Sequence, residues 1–372
     1  MRIFYLGLER YRERYTEMLA RWTVAAFARR GHGVVEVVPR GDPLALGEIR
    51  TGKVLDAHAR CAFACGQVAE LSRLLADATS DDVVYLEDAF TPGLEAIPYI
   101  LAQSPACRRP RVYARNHAQS VDPDDFTFPM RGWMRHFEHI VDAVARRWFV
   151  ASTCHVEMMR CALLEAPVDV VGLPFDRDDV LRVAGGEGDR PSDRPALVAY
   201  ASRLDREKQP RFLAAVVAEC RRRRPDVSFV LCTGSADLRG DDDDGLLMLR
   251  ELERDGHLRV ERGLSKAAYY GVLRRSRVLL NTARQDFVSN TAIEASALGA
   301  MAVAPAFRSF PEALEDRRAQ LYVPWSVGDA ADVTLRAVDD PQPRAVTGRL
   351  ADLHDGTLAR ICALMEADRC SP

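Results

Sequence analysis

Short apolar runs alternate with amphipathic stretches along almost the whole chain. In the first half the apolar runs cover residues 3–8, 34–39, 83–87, 112–114, 148–151 and 168–173. Several are apolar at successive positions rather than at every second one, the pattern of strands covered on both faces in a parallel sheet. Between them, residues 12–30, 66–76 and 133–145 carry apolar side chains at helical spacing. Residues 176–194 (DRDDVLRVAGGEGDRPSDR) break the rhythm. Rich in Asp, Arg, Gly and Pro, they have little to bury and predict an interdomain linker. The alternation then restarts, with strands predicted at 197–201, 229–233, 258–261, 278–282 and 301–304 and helices at 209–223 and 290–298. Residues 241–244 read as a solvated loop ahead of a helix, and a helical stretch at 344–367 closes the pattern. The fold class this predicts is α/β, with two doubly wound Rossmann-like domains. Their bounds are 1–175 and 195–343, with the linker at 176–194 and a terminal helix at 344–372.

Composition adjusts this picture little. A chain of 372 residues suits two domains at roughly 100–200 residues each. Lys and Arg number 51 against 54 Asp and Glu, a net charge of −3. That excludes affinity resting on overall basicity and leaves room for a local basic face. No apolar run approaches the roughly 20 residues of a membrane helix, and nothing resembles a signal peptide. The expectation is a soluble, cytoplasmic protein without a membrane partner. Nine cysteines without CxxC or paired zinc spacing predict reduced thiols. Cys154 and Cys161 flank His155, again without a zinc spacing.

Several motifs can be set aside. No GxGxxG follows a predicted strand, which disfavours a dehydrogenase. Residues 47–53 (GEIRTGK) approach a P-loop but are followed by Val54 where a metal-binding Ser or Thr belongs. Neither GxSxG nor HExxH occurs. Asp122, Asp124 and Asp125 around Pro123 read as turn residues that cap local backbone more readily than as a cation site. His136 and His139 read as a surface pair. Arg221, Arg222, Arg223 and Arg224 fit a helix C-terminus, where cations complement the dipole, better than a nucleic-acid patch.

Three features of the second half belong together. The strand at 197–201 runs into Ser202-Arg203-Leu204-Asp205-Arg206-Glu207-Lys208, which places Arg203 and Lys208 at the carboxyl edge of a parallel strand. Open α/β sheets bind ligands at that edge. Two cations there suit a diphosphate, Arg as a bidentate donor and Lys as a point charge. The strand at 278–282 runs into a loop holding Asp286, and Glu294 follows in the first turns of a new helix, whose amino-terminal N–H groups form an anion site. A carboxylate at Glu294 can accept both hydroxyls of a ribose; equally, Thr291-x-x-Glu294 satisfies a capping box. Ala304-Pro305 and then Phe310-Pro311-Glu312 supply a third loop on the same edge.

These residues resemble a family. Arg203 and Lys208, Asp286 and Glu294-Ala295 with Gly299, and Ser309-Phe310-Pro311-Glu312 are similar to the donor-site pattern of retaining nucleotide-sugar glycosyltransferases of the GT-B type, family 4. The resemblance implies two Rossmann-like domains facing each other across a cleft. It implies that Arg203 and Lys208 neutralise the leaving diphosphate, that Glu294 holds the ribose and that Asp286 contacts sugar hydroxyls. By the same resemblance His117 lies against the transferred sugar, and Gly7, Ser202, Phe287, Val288, Ser289 and Asn290 line the donor site. The segment from Met1 to Thr16 and the segment from Asn116 to Phe126 look like bacteriophage-encoded family-4 transferases found beside DNA-modification genes. The Phe310-Pro311-Glu312 stretch and Leu321-Tyr322 are also similar to enzymes that glycosylate tRNA queuosine. Two departures stand out: Asp286 replaces the usual Glu, and Phe287-Val288-Ser289 replaces a glycine-rich stretch that would approach phosphates more freely.

The expected reaction moves a sugar from a nucleotide sugar, UDP-glucose by default, to an acceptor hydroxyl. The resemblance implies that neither a metal nor a resident cofactor is required. The leading acceptor is 5-hydroxymethylcytosine in phage DNA, within a host cytoplasm, with the base flipped out to react. Arg14, Tyr15, Asp122 and Arg115 are the candidate acceptor-binding residues. Arg108, Arg109, Arg111, Arg131 and Arg135 would add phosphate contacts. Other acceptors (queuosine in tRNA, a small metabolite or a glycan) remain open, and so does a non-catalytic nucleotide-sugar-binding protein. The oligomeric state has no signature in the sequence.

Overall fold

The structure is a computed structural model that describes residues 1–11, 14–40, 57–91, 93–125, 127–186, 190–315, 317–342 and 344–369. The GEIRTGK stretch, Arg12, Phe126 and Cys370 lie outside these residues. The chain divides into two compact units, one made of Met1–Phe175 with Gly356–Pro372 and the other of Asp176–Asp355.

In the first unit the strands are β1 (Arg2–Leu6), β2 (Gly33–Glu36), β3 (Val83–Leu86), β4 (Arg111–Arg115), β5 (Ala145–Val150) and β6 (Val168–Val170). The helices between them are α1 (Tyr15–Arg29), α2 (Ala57–Leu74), α3 (Ile97–Ala102), α4 (Arg131–Asp142) and α5 (Thr153–Cys161). The six strands form one parallel sheet in the order β2-β1-β3-β4-β5-β6. Its continuous apolar runs are explained by burial on both faces. Phe4, Leu6, Val84, Leu86, Trp148 and Val150 enter one core. Tyr5, Tyr85, Phe149 and Tyr113 form a stacked ladder on the other, with ring centroids 5.9–6.4 Å apart. Phe27 of α1 meets Tyr85 edge-on, centroids 5.1 Å apart, a preferred aromatic geometry.

The second unit contains β7 (Leu197–Tyr200), β8 (Ser228–Cys232), β9 (Arg259–Glu261), β10 (Val278–Leu280), β11 (Met301–Pro305) and β12 (Leu321–Tyr322). Its helices are α6 (Arg177–Val183), α7 (Pro210–Arg223), α8 (Asp243–Arg254), α9 (Lys266–Arg275), α10 (Asn290–Ala297), α11 (Phe310–Ala313), α12 (Val327–Asp339), α13 (Arg344–Thr347) and α14 (Arg349–Asp355). The sheet is again parallel, ordered β12-β11-β10-β7-β8-β9. Ser and Asp side chains start its helices by accepting a backbone N–H three residues on: Asp176, Asp242, Ser265, Ser289 and Ser326 cap α6, α8, α9, α10 and α12.

Two expectations need correction. The stretch at 176–194 holds α6, whose Val180 is fully buried; a single apolar face on seven residues was enough to make a helix that polar composition concealed. The closing stretch at 344–367 is three helices rather than one. The third, α15 (Thr357–Ala367), belongs to the first unit, where it packs on α1. Asp368, just beyond α15, accepts from Tyr113 Oη at 3.1 Å and from Arg147 Nη2 at 2.8 Å.

Candidate active site

Strand order decides where ligands gather. In the second unit the chain runs from β7 outward through β8 and β9, then returns to the other side of β7 for β10, β11 and β12. The connections after β7 and β10 therefore leave the carboxyl edge in opposite directions, which opens a crevice between them. Arg203 and Lys208 follow β7, and Asp286 and α10 follow β10.

Lys208 is the buried centre of this crevice. It is 5% exposed, and its Nζ donates to the Gln285 carbonyl at 2.5 Å and to Asp286 Oδ1 at 3.1 Å. Gln209 adopts φ 56°, a strained conformation for a non-glycine residue. Staples between the two loops hold it: Thr282 Oγ1 donates to the Lys208 carbonyl at 2.6 Å, and Gln209 Nε2 donates to the Thr282 carbonyl at 2.9 Å. Arg203 is half exposed; its guanidinium pairs with Asp205 at 2.7 Å and with Glu207. Burial pushes the Asp205 and Glu207 carboxyls above their ordinary range, although Arg203 and Lys208 pull the other way. Ser309 Oγ donates to the Asp286 carbonyl at 2.5 Å, tying the third loop to the same site.

The first turn of α10 is equally organised. Asn281 Nδ2 donates to Ser289 Oγ at 3.0 Å, and Ser289 caps the helix by accepting from Ala292 N–H at 3.4 Å. Phe287 and Ser289 are buried, while Ser202, Val288 and Asn290 are half-buried. Phe287 thus faces the core where a glycine-rich turn was expected in the resemblance. Because Ser289 is the cap, Glu294 lies beyond the capping box, and that reading of it fails. Its carboxylate instead accepts from Lys266 Nζ at 2.6 Å, Tyr270 Oη at 2.9 Å and Tyr269 Oη at 2.9 Å. Burial, then the Glu294 charge, raises the Tyr269 phenol well above its usual range and keeps it a donor.

The first unit has its own switch point, between β1 and β3. Gly7 follows β1, and a Cβ there would approach the Tyr5 ring to 2.7 Å, closer than any side chain allows. Glu87 follows β3 and is fully buried; it accepts from Tyr5 Oη at 3.1 Å and Thr23 Oγ1 at 3.2 Å. Arg115 Nε lies 3.3 Å and His117 Nε2 lies 3.7 Å from Glu87 Oε1. His117 keeps a 20% exposed side chain, so it presents an imidazole at this edge. Glu9 and Arg60 form a second buried pair, 3.1 Å apart, with Arg60 also donating to the Phe90 carbonyl at 2.8 Å.

Two candidate acceptor residues are corrected here. Arg115 is fully buried against Glu87 and the Gly172 carbonyl, and so is withdrawn from any phosphate. Asp122 is also fully buried, and its Oδ1 accepts from Asp124 N–H at 3.0 Å. With Asp125 accepting from Gln119 N–H and Thr127 N–H, the aspartates act as turn residues. Arg14 is exposed and Tyr15 half-buried at the start of α1. Arg222 and Arg223 pair with Glu219, Arg223 also with Asp332, and Arg224 with Asp226 and Asp339; these cations close a helix end. His136 and His139 are exposed.

Sequence reasoning missed Glu87, the Glu9–Arg60 pair and the Lys266-Tyr269-Tyr270 set. Their only signals were lone charges beside apolar runs and a Ser265 cap ahead of a helix. Among the described residues no group of three or more His, Cys, Asp or Glu is placed to hold a metal ion. No described helix is long and apolar enough to cross a membrane, and the eight described cysteines are free thiols.

Two parallel six-stranded sheets, each wound on both faces, give the α/β fold of the GT-B class. Solved structures similar to this chain include the sucrose-phosphate synthase of Thermosynechococcus elongatus. It is 15% identical, with 99% of this chain and 98% of that one covered and a TM-score of 0.66. The α,α-trehalose 6-phosphate synthase of Burkholderia multivorans is 14% identical over 99% and 96%, with a TM-score of 0.64. Anabaena Alr3699/HepE, solved in complex with UDP, is 14% identical over 99% and 100%, with a TM-score of 0.68. No family model matches the chain, and no curated protein matches it in sequence.

Proposed function

We propose that the protein is a retaining glycosyltransferase that transfers a sugar from a nucleotide sugar, a UDP-sugar first among them, to an acceptor hydroxyl. What supports it is the pair of cations at the β7/β10 switch point: Lys208, buried 3.1 Å from Asp286, and the half-exposed Arg203, beside the capped start of α10. A diphosphate supplies the anion that these groups and the helix N–H groups suit. The UDP complex of Alr3699/HepE, a structure of the same fold, adds weight to uridine as the nucleotide.

In the proposed reaction the bond between the anomeric carbon and the diphosphate oxygen breaks, and its electron pair leaves with the diphosphate. The acceptor oxygen bonds to the anomeric carbon from the same face and passes its proton to the departing phosphate. Lys208 and Arg203 neutralise the charge that develops; fixed donors of this kind are usually the largest contribution. Asp286 contacts the sugar hydroxyls, and Glu294 meets the ribose. Each role is carried from the resemblance onto its matching residue.

For the acceptor, the proposal is a 5-hydroxymethylpyrimidine in DNA. It is favoured by α4 of the first unit, where the guanidinium groups of Arg131 and Arg135 and the imidazoles of His136 and His139 are exposed with Trp133, side chains that suit phosphates and bases.

The test is thermal unfolding with a panel of nucleotides and nucleotide sugars, followed by transfer to hydroxymethylated and plain oligonucleotides. Ligand at about 100 times its dissociation constant adds about 2.7 kcal/mol. A selective shift with one nucleotide sugar, lost in Arg203→Ala, is expected; no shift with any of them overturns the donor site. Donor binding without hydrolysis or transfer identifies a non-catalytic binder instead. Transfer to queuosine tRNA or a small hydroxylated metabolite, but not to DNA, replaces only the acceptor.

A further inference from the structure

The opposite edge of the second unit's sheet carries a second concentration of positive charge. A cavity of about 380 Å³ opens at the amino-terminal ends of β7, β8 and β9. Its walls include Leu197 and Phe229, both buried, and four basic side chains: Arg221, His257, Arg259 and Arg275. Lys208 and Asp286 follow the carboxyl ends of strands in this sheet, so the cavity is separate from the crevice described above.

Charge here is poorly compensated. Arg259 pairs with Glu261 at 3.1 Å. Arg275 is exposed and has no hydrogen-bond or carboxylate partner among the described residues. Arg221 donates through Nη1 to the Val227 carbonyl at 2.9 Å, which fixes its guanidinium, while its Nε is buried without an acceptor among the described residues. Asp226, the neighbouring acid, pairs with Arg224, which it shares with Asp339, and its charge also reaches Arg221. With Glu261 set against Arg259 and Asp226 partly against Arg221, the three guanidinium groups leave a net positive charge around the cavity. A buried donor without an acceptor is costly, and like charges gathered round a concave site attract an anion.

We infer that this cavity binds a small phosphate monoester, with Arg221, Arg259 and Arg275 on the phosphoryl oxygens and the Leu197–Phe229 wall against the organic part. A monoester carries a charge of about −1.5 to −2 near neutral pH, opposite in sign to the excess on the cavity walls. Planar guanidinium groups meet its oxygens in pairs. The volume falls within the roughly 300–1,000 Å³ of small-molecule sites.

The experiment is calorimetric titration of the full chain with ribose 5-phosphate and AMP, with ribose as the neutral control. Three proteins are compared: wild type, Arg203→Ala and the double variant Arg259→Glu/Arg275→Glu. Both double-variant positions are exposed, and thermal unfolding with UDP checks that the fold and the donor site survive. The expected result is saturable binding of at least one ester, unchanged in Arg203→Ala and weakened on the order of tenfold or more in the double variant, with no binding of ribose. Loss in Arg203→Ala with retention in the double variant moves the anion to the donor crevice and overturns the inference. Absence of binding, or equal binding of ribose, overturns it too.

Discussion

Lys266 Nζ stands 2.6 Å from Glu294 Oε1, and the same ammonium lies over the rings of Tyr269 and Tyr270, 4.9 Å from each centroid. The carboxylate proposed to receive a ribose is therefore already held by one cation and two phenols. Glu294→Gln leaves Lys266 without its anion in a mostly buried place, and breaking such a pair costs about 3–5 kcal/mol when burial is complete. Partial exposure of Lys266 brings the expected loss to about 2 kcal/mol. Urea unfolding measures it, and calorimetry should show UDP affinity falling at least about tenfold. Wild-type affinity in Glu294→Gln removes Glu294 from the ribose.

Lys208 and Arg203 should separate in kinetics. Lys208 is fixed in the crevice by Gln285 and Asp286, whereas Arg203 is half exposed on a loop. Lys208→Ala is expected to lower turnover about 100-fold, the scale for a fixed charge-stabilising donor, with a smaller effect on donor dissociation. Arg203→Ala should act mainly on donor binding. Initial rates with a nucleotide sugar and its hydrolysis in the absence of acceptor give both quantities; equal turnover of wild type and Lys208→Ala excludes that lysine from the chemistry.

Arg115 is predicted to matter for stability rather than for contact with an acceptor. Arg115→Met strands Glu87 in the core, with an expected loss of about 3–5 kcal/mol in urea unfolding. Adding Glu87→Gln keeps acceptors for Tyr5 and Thr23 and should restore most of it. A stable Arg115→Met that has lost only DNA binding would contradict this.

Two buried groups of the first unit set opposing pH dependences. Burial raises Asp125 to about 7 against its three hydrogen bonds from Thr127 and Gln119. Burial, with the charges of His117 and Arg115, lowers His155 to about 3. Between about pH 4 and 7 the folded chain holds a proton on Asp125 that the unfolded chain has released. Stability relative to Asp125→Asn therefore falls by about 1.4 kcal/mol per pH unit as pH rises. For His155 the unfolded chain takes the proton between about pH 3 and 6.5. Stability relative to His155→Gln rises at the same slope as pH rises. Denaturant unfolding of wild type and the two variants from pH 4 to 7 should give stability differences whose pH slopes have opposite sign.

Much of the architecture was legible because burial on both sheet faces writes itself as uninterrupted apolar runs: among the described residues, eleven of the twelve strands overlap residues expected to be extended. Leu321–Tyr322 escaped because two residues carry no period. The helix α6 escaped because one buried Val180 among Asp and Arg looks like a loop. Arg203, Lys208 and Asp286 could be found from their place just after strands, since parallel sheets put such residues on one edge. Partners could not. That Glu294 belongs to Lys266 and the two tyrosines, or Arg115 to Glu87, depends on strand order, and nothing local encodes which strands become neighbours.

The position of α15 bears on the order in which the molecule can be built. Thr357 Oγ1 donates to the Val171 carbonyl at 2.9 Å, and Arg360 and Asp368 reach back to Val171, Tyr113 and Arg147. During synthesis, all of β7 to β12 are translated before these residues exist. The second unit has its whole sheet in hand while the first still waits for a wall of its core, so the half of the molecule that is translated first is the half that is finished last.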